Sequence, residues 1–171
     1  MLEGRGLSSN AYFFDSPKGV LCIDAGADAQ AFAKAGGADK VLLTHGHADH
    51  WLAAARQELC LHAADVKHFT EINSFFGSLQ KPKLEKLPKK IEWGSFSFKV
   101  VETPGHTPGS VCFFEEKRKW LFSGDMLFAG GGCGRTDLPC GDYGAMQESL
   151  AKLEALDYEL LLPGHGSVER H

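Results

Sequence analysis

Paired cysteines are missing from this chain. Its five, Cys22, Cys60, Cys112, Cys133 and Cys140, are odd in number and scattered, with no C-x-x-C pair. That is the pattern of reduced thiols in a reducing compartment, not of a disulfide framework. A long apolar run is missing too. No stretch approaches a membrane span, and the N-terminus, Met1-Leu2-Glu3-Gly4-Arg5-Gly6, lacks the apolar core of a secretion signal. The expected location is therefore the cytoplasm, with no membrane partner. Positive charge is also in short supply: 18 Lys and Arg against 22 Asp and Glu give a net charge of −4 and a pI near 6.0. A general nucleic-acid binder would carry a basic face, so no nucleic-acid partner is expected and a small-molecule substrate fits better. What the chain does have is 171 residues, 43% of them hydrophobic, enough for one full core and too few for two comfortable domains.

One stretch organises the rest. Thr44-His45-Gly46-His47-Ala48-Asp49-His50 crowds three imidazoles and a carboxylate together without a cysteine. Imidazole and carboxylate are ligands that zinc, iron and manganese accept, and the missing thiolate argues against a closed structural zinc site. Val41-Leu42-Leu43 before it reads as a buried strand, and Asp49 to Ala55 after it as a helix start. On an extended strand end His45 and His47 point to one side, with Gly46 easing the turn, while Asp49 and His50 face a second position from the first helical turn. A polar turn with surface histidines rarely needs three of them at this spacing.

Along the chain, Asn10 to Phe14 and Val20 to Ile23 flank the turn-forming Asp15-Ser16-Pro17-Lys18-Gly19, which reads as a β-hairpin. Ala27 to Ala35 is an alanine-rich helix closed by Gly36-Gly37. Asp24 reads equally as a turn residue or as an acceptor behind a ligand histidine. A strand near Leu59 to Leu61 and a helix from Ala63 to Phe69 precede the least patterned segment, Thr70 to Lys90, which reads as an insertion or lid. Its Lys81, Lys83, Lys86, Lys89 and Lys90 suit a solvated loop, or else a basic rim for an anionic substrate under Phe75 and Phe76. His62 and His68 have no partner at ligand spacing and read as surface or packing histidines. Strands at Phe96 to Glu102, Ser110 to Phe114, Trp120 to Phe122 and Glu159 to Leu162 follow, with a helix from Tyr143 to Leu156 whose Met146, Leu150 and Leu153 share a face. The strand ends deliver His45, His106, Asp125 and His165 in turn, each near glycine, so these loops are expected to converge on one edge.

With these residues in place the chain resembles the metallo-β-lactamase superfamily, whose pattern is H-x-H-x-D-H followed by single His, Asp and His residues on later loops. Within it the chain most resembles glyoxalase II-like hydrolases, through Thr44 to His50, Pro104-Gly105-His106-Thr107-Pro108-Gly109-Ser110, Ser123-Gly124-Asp125 and Gly132-Cys133-Gly134-Arg135-Thr136-Asp137. The resemblance implies an α/β fold of the αββα sandwich type, two packed mixed β-sheets flanked by helices, with metals at one edge. The expected organisation is one domain over residues 1–171, and here the chain departs from classical glyoxalase II, which carries a C-terminal helical domain contributing to glutathione binding. By the same similarity His45, His47 and His106 hold one metal, Asp49, His50 and His165 hold the other, and Asp125 bridges them. Arg135 stands where the family places a basic residue near the carboxylate of a thiol carrier, with a local pair to Asp137 as the alternative. True β-lactamases of the fold carry another residue at the Asp125 position, so antibiotic hydrolysis is not expected. Trp51, where relatives usually carry an aliphatic residue, is expected to pack beneath the helix.

The implied cofactors are two Zn²⁺ ions, with iron or manganese as alternatives. Two dications against Asp49, Asp125 and a bridging hydroxide leave about one net positive charge, which favours anions and oxyanions. Metal lowers the pKa of bound water to roughly 7 and polarises a carbonyl. Asp49 is the expected catalytic residue, orienting that hydroxide. The expected reaction is hydrolysis of a small anionic thioester, whose thiolate leaves without a strong general acid. A different reaction class, persulfide dioxygenation, would use one Fe(II) on His45, His106 and Asp125. A non-catalytic metal-binding module is the third reading.

Overall fold

The computed structural model of the protein describes residues 1–4 and 6–171. Two sheets pack face to face. The first runs in order through β1 (Tyr12–Ser16), β2 (Gly19–Ile23), β3 (Lys40–Leu42), β4 (Glu58–Leu61) and β5 (Lys83–Lys86). The second contains β6 (Lys90–Trp93), β7 (Phe96–Glu102), β8 (Val111–Glu115), β9 (Trp120–Gly124), β10 (Leu160–Pro163) and β11 (Glu169–Arg170), in the reverse of that order. Pairing is parallel from β2 to β5 and between β9 and β10, and antiparallel elsewhere. Both sheets are thus mixed.

The alternation of side chains divides the apolar residues into three layers. Leu21, Ile23, Leu42, Phe98, Phe113, Phe122 and Leu162 fill the space between the sheets, with Tyr12 and Phe14 making edge-on contacts to Phe122. Cys22, Val41, Leu43, Leu59 and Leu61 face the other way, under α1 (Ala29–Lys34), α2 (Ala48–Trp51) and α3 (Ala63–Ile72). Cys112, Phe114, Leu121 and Leu161 face α4 (Tyr143–Glu154) through Met146 and Leu153. The result is the four-layer αββα sandwich. Trp51 is fully buried in the helix-side layer against Phe69, as expected of a packing residue.

Several local expectations shift. The hairpin turn shrinks to Pro17-Lys18, because β1 runs to Ser16 and β2 begins at Gly19. The helix after His47 is one short α turn continued by a 3₁₀ turn over Leu52–Ala54. The largest correction concerns Thr70 to Lys90, which is not an unpatterned lid. α3 continues to Ile72, a 3₁₀ turn spans Asn73–Phe76, and Lys83–Lys86 forms edge strand β5 in parallel register with β4. Charged residues suit an exposed edge, where they discourage pairing with another chain. Lys83 pairs with Glu58 and Lys90 with Glu92, so these lysines sit along the sheet edge instead of rimming the site.

Candidate metal centre

The segments following β3, β7, β9 and β10 meet at one edge of the sandwich; their loops carry His45, His47, His106, Asp125 and His165, and α2 carries Asp49 and His50. His45 and His47 lie in a bend beyond the end of β3, not on an extended strand. Their rings still meet, with centroids 4.9 Å apart, because Gly46 is held from outside the strand: its N–H donates to Asp65 (2.8 Å), and its carbonyl accepts from Trp51 Nε1 and Asn73 Nδ2. His106 stands in the tight loop after β7, where Gly105, at φ +145°, passes so close to α4 that a Cβ would lie 2.5 Å from Met146 Cα. Asp125 follows β9. His165 follows β10, in a loop fixed by Asn10, whose Nδ2 donates to the carbonyls of Pro163 and Gly166, both at 3.0 Å. Beside it, a Cβ on Gly164 would stand 2.7 Å from His50 Cε1.

The donor atoms fall into three overlapping groups, the middle one being His45, His50 and Asp125. His45, His47 and His106 bring ligand atoms within 4.8 Å of one another, and Asp49, His50 and His165 do the same. Asp125 lies between. Its Oδ2 is 3.4 Å from His106 Nε2, while its Oδ1 is 3.2 Å from His50 Nε2 and 3.6 Å from His165 Nε2. Behind the rings, His50 Nδ1 faces Asp24 at 2.9 Å, and His106 Nδ1 faces the Arg135 carbonyl at 2.6 Å. These partners fix the outer nitrogens and turn the inner ones toward the cavity. Asp24 thus takes the supporting role left open by the sequence, and it also accepts from Thr44 N–H and Oγ1.

The electrostatics fit a cation. His45 Nε2, His47 Nε2, His50 Nε2 and Asp125 Oδ1 are buried and have no hydrogen-bond partner in the protein. Unpaired polar atoms of this kind are costly unless something else satisfies them. Burial, followed by crowding from neighbouring imidazoles, pushes His45 well below the ordinary imidazole value and His47 down to about 3. Both therefore present free lone pairs at neutral pH. Burial also acts against charge on His50, yet Asp24, Asp125 and Asp49 together hold its pKa well above the ordinary value. A field that favours a proton there equally favours a metal cation. Burial would raise Asp49 and Asp125, but the surrounding histidines, His50 foremost, hold both carboxyls below the usual range. The residues present fit divalent metal ions.

Sequence reasoning missed Asp65. It is fully buried in α3 and accepts from Gly46 N–H, Gly109 N–H and Thr107 Oγ1, so it joins the His45–His47 bend to the His106 loop. Nothing in its local sequence marks it, since its partners come from two distant loops. His68 also differs from expectation. Glu71 and Cys140 stand with it, all three donor atoms within 4.8 Å of one another. His62 remains structural: it caps α3 through Ala64 N–H and faces Glu102.

A family model described as the metallo-beta-lactamase superfamily matches residues 4–56 and 62–165. The chain belongs to that superfamily. It is 33% identical to a hydroxyacylglutathione hydrolase of Haemophilus influenzae, over 90% of this chain and 83% of the relative. It is 32% identical to a probable metallo-hydrolase of Methanocaldococcus jannaschii, over 98% and 92%. Among solved structures, the B3 metallo-beta-lactamase BLEG-1 superposes with a TM-score of 0.81 at 31% identity, covering 99% of this chain and 92% of that one. The protein TTHA1623, solved in a di-iron-bound form, gives 0.78 at 32% identity, covering 97% and 91%. The superfamily assignment and the clustered donors make this a metallo-hydrolase-type site for divalent metal ions.

Above the donors lies a cavity of about 250 Å³ lined by Phe75, Phe76, Phe128 and Leu138 and bordered by Cys133 and Arg135. The Arg135 guanidinium makes a two-pronged pair to Asp137 through Nε and Nη2, both at 2.8 Å. No lysine of the 81–90 segment lines this cavity.

Proposed function

We propose that the protein is a dinuclear hydrolase of a small anionic thioester. The observation that carries this reading is the division of Asp125, one oxygen toward His106 and the other toward His50 and His165. His45, His47 and His106 would hold one ion, Asp49, His50 and His165 the other, and Asp125 both. A single iron on His45, His106 and Asp125 would leave His47 Nε2 and His50 Nε2 buried without a partner. Divalent ions bound there supply Lewis acidity toward a carbonyl and lower the pKa of water; zinc is our choice, with iron or manganese as alternatives.

The chain's own residues supply the remainder. Asp49 is largely buried, ionised and facing His165 Nε2 at 3.1 Å. It accepts a hydrogen bond from the attacking hydroxide and so orients the lone pair toward the acyl carbon. Phe75, Phe76, Phe128 and Leu138 hold the apolar part of the substrate and thin the water around it. Arg135 keeps Nη1 free of its Asp137 pair, available to a carboxylate at the cavity mouth. Thiolate departs without a protonating group, as its low basicity permits. The similarity to a hydroxyacylglutathione hydrolase supports the thioester class.

The test is a substrate panel on zinc-loaded and iron-loaded protein: S-lactoylglutathione, a neutral thioester, glutathione persulfide and a β-lactam. The reading predicts that S-lactoylglutathione turns over fastest. Oxygen consumption with the persulfide on iron-loaded protein, without thioester turnover on either metal, would replace hydrolysis by dioxygenation. Preference for the β-lactam would move the protein toward the activity named for BLEG-1.

A further inference from the structure

A second group of metal-binding side chains lies outside this centre. His68 and Glu71 are one helical turn apart on α3, with Nδ1 and Oε2 3.2 Å from each other. A surface His–Glu pair at this spacing is ordinary. The third member is not part of the helix: Cys140 comes from the loop after β9 and brings its sulfur within 4.8 Å of both. We propose that His68, Glu71 and Cys140 form a peripheral Zn²⁺ site that clips α3 to the 132–141 loop.

The donor set argues for zinc. One imidazole, one carboxylate and one thiolate leave a fourth tetrahedral position for water, and the two anionic ligands balance the dication. Magnesium and calcium prefer all-oxygen shells and are disfavoured by the sulfur. On binding, the Cys140 thiol gives its proton to bulk water. The location gives the clip a consequence. α3 leads directly into the turn that carries Phe75 and Phe76, while the 132–141 loop carries Cys133, Arg135 and Leu138. These two segments supply much of the cavity lining. Among the described residues no backbone hydrogen bond joins the 63–76 segment to the 132–141 loop. An ion between them would fasten two parts of the cavity wall that the backbone leaves independent. The site does not rest on the hydrolase reading.

Cobalt substitution tests it, because thiolate bound to Co²⁺ absorbs in the near ultraviolet and the His/Asp centre contains no sulfur ligand. The expected result is a thiolate-to-cobalt band in the wild type and in Cys133→Ser, and its loss in Cys140→Ser. Zinc-loaded Cys140→Ser should also hold one ion fewer per chain than wild type. His68→Ala and Glu71→Gln should each weaken the cobalt affinity of the band at least about tenfold. No band in the wild type at saturating cobalt, or a band that survives Cys140→Ser, overturns the proposal. Unchanged affinity in both His68→Ala and Glu71→Gln also overturns it, because the metal would then sit on a lone thiol. Activity enters none of these readouts, so failure of the hydrolase reading leaves them intact.

Discussion

The two halves of the centre are each supported by a buried aspartate, and the two work differently. Asp24, behind the carboxylate-rich half, touches a ligand ring directly through His50 Nδ1. Asp65, behind the all-imidazole half, touches no ligand ring and instead gathers two backbone N–H groups and a hydroxyl from the flanking loops. The first kind of support sets a ring's orientation and basicity. The second sets where two loops cross, and its loss is felt as stability. The halves differ in charge as well: His45 and His47 are kept neutral by burial and crowding, while His50 sits among three carboxylates.

The largest effect should come from removing what the halves share. Asp125→Ala is expected to lower kcat/KM by about a thousandfold or more and to strip metal from both halves, read by metal analysis after dialysis. If only one half loses its ion, Asp125 belongs to that half alone. Next comes Asp65→Ala, which leaves three buried donors unpaired and should cost about 3 kcal/mol in denaturant unfolding. Asp24→Ala also leaves Thr44 N–H and Oγ1 without their acceptor and should cost stability too, but in addition it should weaken metal binding, about ten- to a hundredfold at the His50 half, which Asp24 touches directly, and less at the His45 half, which it reaches only through Thr44. Titration with a metal indicator separates the two steps. Similar stability losses for Asp24→Ala and Asp65→Ala, with metal affinity intact in both, would erase the distinction drawn between them. The smallest effect lies at the cavity mouth. Arg135→Gln should raise KM for S-lactoylglutathione about tenfold, with kcat largely kept and a neutral thioester unaffected. Equal changes on both substrates would mean that Arg135 serves only its pair with Asp137.

The fold and the meeting of the candidate donors at one edge were legible because they are written in local pattern. H-x-H-x-D-H sets four candidate donors in one stretch, and short apolar runs bounded by turn residues mark the hairpin and the strands of the second half. Asp65, Asn10 and the His68–Glu71–Cys140 group were not legible, since each acts across a long sequence separation that only the folded chain closes. The lysine segment misled for a related reason. An exposed edge strand has only one neighbour and little apolar pattern, so β5 looks like a loop until β4 is seen beside it.

The central claim is that the centre holds two ions sharing Asp125. Equilibrium dialysis against zinc tests it most directly, using Cys140→Ser so that only the His/Asp centre is counted, with His165→Ala in the same background for comparison. Two ions per chain, falling to one on loss of His165, is the predicted result. Saturation at one ion, unchanged by His165→Ala, would contradict the account.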